Sequence, residues 1–114
     1  LVQVAERRPR LFPLLKDARR PETYAHLVES DLDAVIQDVA TRDQAEVALR
    51  NQRFLARDGR LILAIKARSE DVTAAPGDVF EDVLDSLREG YEVLETARLD
   101  PTHDAHLAVV ARPR

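Results

Sequence analysis

The stretch Leu61–Ala67 (LILAIKA) is a continuous apolar run of strand length, with no polar alternation before Lys66. Such a run predicts a parallel strand covered by helices on both faces. Upstream of it the pattern alternates between elements. Leu1–Arg8 reads as the end of an amphipathic helix with Leu1, Val4 and Ala5 on one side, stopped by Pro9. Leu11–Leu15 reads as a short apolar strand whose Pro13 sits near an end or edge, where a missing N–H is tolerated, and Asp17 follows at its carboxyl end. Pro21 suits the first turn of a short helix reaching Val28, with Tyr24, Leu27 and Val28 turned inward, and Asp31 and Asp33 flank the next turn. Leu32–Val39 is a strand centred on Ala34, Val35 and Ile36, with Asp38 near its end.

Asp43, with Glu46 three residues on, forms a capping-box pattern that predicts a helix running to Arg57. Val47, Phe54 and Leu55 share its apolar face, beside Ala48 and Asn51. Asp58-Gly59 is expected to close that helix and turn the chain into the strand of Lys66. Strand, helix, strand in this order predicts a βαβ unit with parallel strands. Arg68–Gly77 is a polar loop containing Pro76, after which Asp78 is expected to cap a helix to Arg88, with Val79, Val83, Leu84 and Leu87 apolar and Gly90 at the end. Tyr91–Leu99 alternates as a strand, Asp100-Pro101-Thr102 is turn chemistry, and His106–Ala111 is a final apolar strand. The last two strands read as an antiparallel pair at a sheet edge. The order, a helix end and then βαβαβαββ, is that of the later part of an α/β sandwich. Gly59, Gly77 and Gly90 all fall at helix ends or loops, so no glycine-rich loop follows a first strand, and a cofactor-binding half is expected upstream of Leu1.

Composition narrows the class. The 114 residues suit one small domain and are short for a complete doubly wound enzyme; with Leu1 in place of methionine, the expectation is a fragment. Hydrophobic residues at 45% and charged residues at 33% describe a globular chain, too apolar for disorder. With no apolar run of about 18 residues and no signal peptide, a soluble intracellular protein with no membrane partner is expected. The absence of cysteine excludes disulfides, thiolate metal sites and a thiol nucleophile. A net charge of −4 argues against a generally basic nucleic-acid binder, while leaving room for a local basic patch.

The chemistry-bearing residues lie at strand ends. Lys66 terminates a buried strand, where an ammonium needs a compensating carboxylate or substrate group. It is one of two lysines, with Lys16, in a chain otherwise rich in arginine. Ligand crevices of open parallel sheets lie at the carboxyl ends of strands. Asp38 ends the strand one crossover helix earlier; neighbouring strands lie about 4.8 Å apart, so the two groups can meet over the crevice, as a structural ion pair or as a functional one. His106, opening the last strand, either joins them or is simply packed at the edge. Asp17 is a turn-former or an acceptor for a ligand amine. His26 reads as a surface residue. His103 and His106, with Asp100 and Asp104, do not compose a metal site, because two histidines three apart across a turn need not face one point and a third ligand is not evident. Arg7, Arg8, Arg10, Arg19 and Arg20 are phosphate contacts or solvated ends. No Ser-His-Asp spacing stands out.

Several strings converge on one family. The segment IQDVATRDQAEVALRNQRFLARDGRLILAIKARSEDVT resembles the fibrillarin family of RNA ribose 2′-O-methyltransferases, with its DVAQPDQ-like segment, an asparagine in the next helix, and an IKA strand before an S-x-D-x-T-like loop. KDARRPETY resembles the family's D-A-R-x-P-x-x-Y segment, and DPTHDAH its D-P-x-x-x-D-H ending. The resemblance runs in order over nearly all of the chain. It implies a Rossmann-like α/β sandwich of the class I S-adenosylmethionine-dependent methyltransferases, represented over residues 1–114 by the C-terminal part of a single domain without its first strands. It also implies that Asp17 and Ala18 hold the adenine of S-adenosyl-L-methionine, and that Asp38, Val39, Ala40 and Thr41 line its methionine end. The family's Lys-Asp-Lys-His catalytic set is matched by Asp38, Lys66 and His106, its first lysine being expected upstream. The chain departs from the pattern at Thr41 (glutamine in the family), Arg42 (proline) and Ala105 (aspartate). The function so implied is guide-RNA-directed 2′-O-methylation of rRNA, and of tRNA, within a box C/D ribonucleoprotein. The implied partners are the guide and target RNAs, a Nop5/Nop56/Nop58-type scaffold and an L7Ae-type kink-turn protein. The setting is cytoplasmic in an archaeon or nucleolar in a eukaryote, and the arginine- and acid-rich composition leans archaeal. The competing expectation is a non-catalytic, truncated methyltransferase-like module that binds a scaffold partner.

Overall fold

The computed structural model describes residues 11–99 and 103–114. The expected helix end Leu1–Arg8, the turn Asp100-Pro101-Thr102 and the side chains of His103 and Asp104 lie outside the described residues. Four strands form one sheet in the order β1-β2-β4-β3, with β1 at Leu32–Gln37, β2 at Leu55–Lys66, β3 at Tyr91–Leu99 and β4 at His103–Pro113. The helices are α1 (Gln44–Asn51), the single turn α2 (Ala67–Glu70) and α3 (Pro76–Leu87). Strands β1 and β2 are parallel across α1, as the βαβ pattern predicts. Strand β4 runs antiparallel to both β2 and β3, and β3 takes the edge.

One face of the sheet holds the core. Leu61, Leu63 and Ile65 of β2 stand opposite Ala111, Val109 and Leu107 of β4, and all six are buried. Ala45 and Ala48 of α1 and Val79, Phe80, Val83, Leu84 and Leu87 of α3 close over them. Each large apolar side chain buried there contributes about 1.5–3 kcal/mol, which makes this layer the main source of stability. Tyr91 is buried in the same layer and keeps its polar tip satisfied by donating to the Ala48 carbonyl at 2.9 Å.

The other face is open, which corrects the expectation of helices on both sides of LILAIKA. Burial in β2 alternates, and Ile62 is 41% exposed beside Ile36 of β1 at 74%. The described chain supplies helices to one side only. Residues 11–15 form no strand: Pro13 cannot donate, and the outer edge of β1 pairs with nothing among the described residues, so Phe12 and Leu15 stay in solvent. The helix expected from Pro21 is two 3-10 turns, Pro21–Thr23 and Ala25–Leu27. Asp31 precedes β1 at φ 58°, a conformation that aspartate tolerates in a turn.

Helix α1 ends at Asn51, passes through a 3-10 turn at Gln52–Phe54, and β2 has begun by Leu55, so Asp58-Gly59 does not close a helix. Gly59 is needed inside the strand: a Cβ there would lie 2.8 Å from the Leu32 carbonyl oxygen and 2.7 Å from Leu55 Cδ1, where β1 meets β2 with a register shift. The capping box also fails, since Asp43 makes no side-chain cap and Glu46 pairs instead with Arg50 at 2.6 Å. Likewise α3 starts at Pro76 behind Ala75 and not at an Asp78 cap.

Candidate active site

The pleat decides which side chains meet. Residues paired across β2 and β4 share a face, and the pair Lys66↔His106 follows Ile62↔Val110 and Ala64↔Ala108 on the open face. Ile36 pairs with Ile62 on the same face, and Asp38 lies two residues beyond it, past the end of β1. The Lys66 ammonium donates to Asp38 Oδ1, forming the expected ion pair across adjacent strand ends. The partners differ in environment: the Lys66 side chain is 20% exposed and that of Asp38 70%. The structure therefore gathers a sheltered ammonium, an accessible carboxylate and a half-buried imidazole at the carboxyl edge of β1 and β2. Chemically, this edge can orient a hydroxyl, stabilise charge on its oxygen and hold a cation against the carboxylate.

Beneath this edge sits a buried amide that the sequence reading passed over. The Gln44 side chain, fully buried at the start of α1, accepts from Lys66 N–H at 2.8 Å and donates to the Lys66 carbonyl at 2.9 Å and to the Thr41 carbonyl at 3.0 Å. Its own carbonyl accepts from Gln37 Nε2 at 2.8 Å, and its N–H donates to Glu70 Oε1 at 2.8 Å. Glu70 thus takes the capping role expected of Asp43, and desolvation pushes its pKa up against the opposing effect of that hydrogen bond. The available signal was two amides, Gln37 and Gln44, at positions facing the core.

The segment 38–43 connects β1 to α1 beside the ion pair. Thr41 Oγ1 and Asp43 Oδ1 are shielded from water and have no hydrogen-bond partner among the described residues. An unmet buried polar atom costs about 1–3 kcal/mol, so this loop carries polar valence that suits a polar ligand. Val39 is half-buried and Ala40 exposed alongside. Together with the exposed Asp38 carboxylate, these residues fit the cationic, hydrogen-bonding end of S-adenosylmethionine.

Asp17 and Ala18 are not drawn into that cluster. The Ala18 carbonyl accepts from Asn51 Nδ2 at 2.8 Å, and the Tyr24 hydroxyl, 3.2 Å from that carbonyl, donates its single proton to Asn51 Oδ1. These residues sit at the far end of α1, roughly 10 Å along the helix from Gln44. Asp17 itself is engaged by Arg19, whose Nη2 lies 3.0 Å away, and those hydrogen bonds hold its carboxyl below the usual range. Arg20 belongs to the same turn, donating its N–H to the Asp17 carbonyl at 2.9 Å, and His26 is exposed as expected. Arg7, Arg8 and Arg10 lie outside the described residues.

A parallel βαβ unit extended by an antiparallel pair, with its polar groups at the carboxyl strand edge, belongs to the Rossmann-like fold of the class I S-adenosylmethionine-dependent methyltransferases. Within that class the chain is a member of the fibrillarin family, whose model, described as Fibrillarin, matches residues 1–114. A fibrillarin-like rRNA/tRNA 2′-O-methyltransferase of Halorubrum lacusprofundi is 71% identical over 114 residues, which is all of this chain and 54% of the relative. A solved fibrillarin/Nop5p complex aligns with a TM-score of 0.92 at 32% identity, covering 99% of this chain and 54% of the other. The fibrillarin of Aeropyrum pernix, solved with natively bound S-adenosyl-L-methionine, gives 0.80 at 42% identity over 96% of this chain and 48% of its own. The chain therefore spans about half the length of the relatives it matches.

Proposed function

We propose that the protein containing this chain methylates ribose 2′-hydroxyls of rRNA and tRNA within a box C/D ribonucleoprotein, and that residues 1–114 are the C-terminal part of its methyltransferase domain. The observation that carries the reading is the Lys66–Asp38 ion pair standing opposite His106 on an open sheet edge. The names of the similar proteins support it. Asp38, Val39, Ala40 and Thr41 would hold the methionine end of S-adenosyl-L-methionine, and Asp17 and Ala18 its adenine. When bound, that cofactor supplies the electrophilic methyl group. Asp17 must exchange Arg19 for the ligand, a small cost because exposed ion pairs contribute about 0–1 kcal/mol.

The residues of this chain then act on the nucleotide. Asp38 accepts from the 2′-hydroxyl and orients it for in-line displacement. The Lys66 ammonium stabilises the negative charge that develops on the 2′-oxygen as its proton passes to the Asp38 carboxylate. His106 positions the nucleotide against the edge. An acidic chain suits delegated recognition: a guide RNA selects the target by base pairing, and a Nop5/Nop56/Nop58-type scaffold and an L7Ae-type kink-turn protein supply affinity. The reading implies a cytoplasmic particle in an archaeal cell.

The test reconstitutes the full-length protein with guide RNA, scaffold and kink-turn protein, using methyl-labelled S-adenosylmethionine. Label should enter the guided ribose and vanish when that nucleotide is 2′-deoxy. Transfer to the 2′-deoxy target, or to a base, would overturn the assignment.

A further inference from the structure

Asp38 and Lys66 project from the ends of two different strands, and β1 has stopped pairing by Gln37↔Leu63, three residues before β2 ends. No ladder bond from β1 therefore fixes the last residues of β2. Gln44 supplies what the ladder lacks. Its side-chain amide meets both backbone groups of Lys66, the N–H at 2.8 Å and the carbonyl at 2.9 Å, as a neighbouring strand would. Because Lys66 presents one donor and one acceptor, only an amide at this position can satisfy both, and glutamine has the reach. The Asp38 end is tied to the same helix start by a different group, since the Gln44 backbone carbonyl accepts from Gln37 Nε2, immediately before Asp38. Its remaining amide proton goes to the Thr41 carbonyl, which ties in the 38–41 loop.

We propose that Gln44 is a positioning residue for methyl transfer: its buried side-chain amide fixes the end of β2 that carries Lys66 and registers it with the Thr41 carbonyl of the loop that follows Asp38. The inference rests on the functional reading above. Gln44 touches neither substrate nor cofactor; it acts through the backbone of Lys66. Its neutrality matters, because a charged clamp would compete with Asp38 for the ammonium.

The experiment uses the full-length protein in the reconstituted particle, with Gln44→Met (similar length, no hydrogen bonds) and Gln44→Asn (the same groups, one methylene shorter). Turnover at saturating S-adenosylmethionine is expected to fall about ten- to a hundredfold in both, the size of a misplacement near 1 Å transmitted to the reacting groups. KM for the cofactor is expected to stay within a few fold, and Glu46→Gln, on the exposed side of the same helix turn, is expected to leave turnover unchanged. A purely structural Gln44 would lower the melting temperature and leave saturated turnover per folded molecule within twofold of the unaltered protein, which would overturn the proposal. Hydrogen exchange gives a readout independent of activity. The Lys66 amide should be protected in the unaltered protein and should exchange much faster in Gln44→Met. A Lys66 amide that is unprotected from the start would overturn the clamp even if neither variant folds. Failure of the unaltered particle to methylate would instead refute the functional reading, with the exchange result still deciding the clamp.

Discussion

Replacing Lys66 by alanine separates a catalytic ammonium from a structural one, because the two roles predict effects of different size in different assays. The structural contribution is small. Asp38 keeps 70% of its side chain in solvent, so losing its partner leaves no buried, uncompensated charge. Two unit charges about 4 Å apart attract by about 1 kcal/mol in water and about 4 kcal/mol at an effective dielectric of 20, before desolvation is subtracted. Measured exposed pairs give about 0.2–1 kcal/mol. Loss of about 1 kcal/mol or less is therefore expected for folding. The catalytic contribution is larger: removing a donor aimed at a developing oxyanion costs about 10²–10³-fold in turnover, or about 2.7–4 kcal/mol. Turnover under saturating cofactor, measured on the assembled full-length protein beside a thermal melt, reads both quantities. Lys66→Ala should melt nearly normally and methylate hundreds of times more slowly. Lys66→Arg should not restore full activity, since a planar fork cannot take the place of a compact ammonium. A folded Lys66→Ala enzyme with near-normal turnover would refute the reasoning.

Other perturbations test the scaffold. Glu70 holds its proton more tightly when folded, so its ionised form costs stability above the folded pKa, and the cost disappears as pH falls towards the ordinary value of 4.5. Glu70→Gln keeps an acceptor for Gln44 N–H and should raise the melting temperature near neutral pH, with the gain closing below pH 4.5; a gain independent of pH would contradict the desolvation argument. Gly59→Val should destabilise by about 1–3 kcal/mol in chemical denaturation, because its side chain must push the Leu32 carbonyl aside; an unchanged midpoint would mean that β1 yields freely. The isolated 114-residue chain should self-associate through the open face, and Ile36→Glu with Ile62→Glu should shift it towards monomer in sedimentation; a monomeric unaltered chain would refute this.

Pairing sense was legible because hydrophobic period switches cleanly between elements, and because a short connection before the last strand forces an antiparallel pair; the insertion of β4 between β2 and β3 was not read from the sequence. The Asp38–Lys66 pair was legible for the same reason: strand-end positions one crossover apart are neighbours by topology. What the sequence concealed depends on contacts distant along the chain. The cap of α1 comes from Glu70, 26 residues after Gln44, so the local S/T/D-x-x-E pattern at Asp43 and Glu46 pointed to the wrong carboxylate. Gly59 looked like a helix terminator because glycine usually ends helices, whereas here it admits the Leu32 carbonyl into β2. Leu11–Leu15 has the composition of a strand, but a strand forms only beside a partner, and hydrophobic pattern alone cannot supply one.

The organisation of LILAIKA follows from these contacts. Its odd positions, Leu61, Leu63 and Ile65, are anchored in the dry layer, and this fixes the even positions on the open face. Lys66 inherits that placement and emerges where β1 has already ended. At that point the backbone groups of Lys66 on the β1 side need partners that β1 no longer supplies. A side-chain amide from α1 meets that need, because it reaches the backbone of Lys66 and leaves the open side to Asp38 and, on the reading proposed above, to a nucleotide. The buried face therefore determines where Lys66 and Asp38 stand, and the open face determines what can reach them.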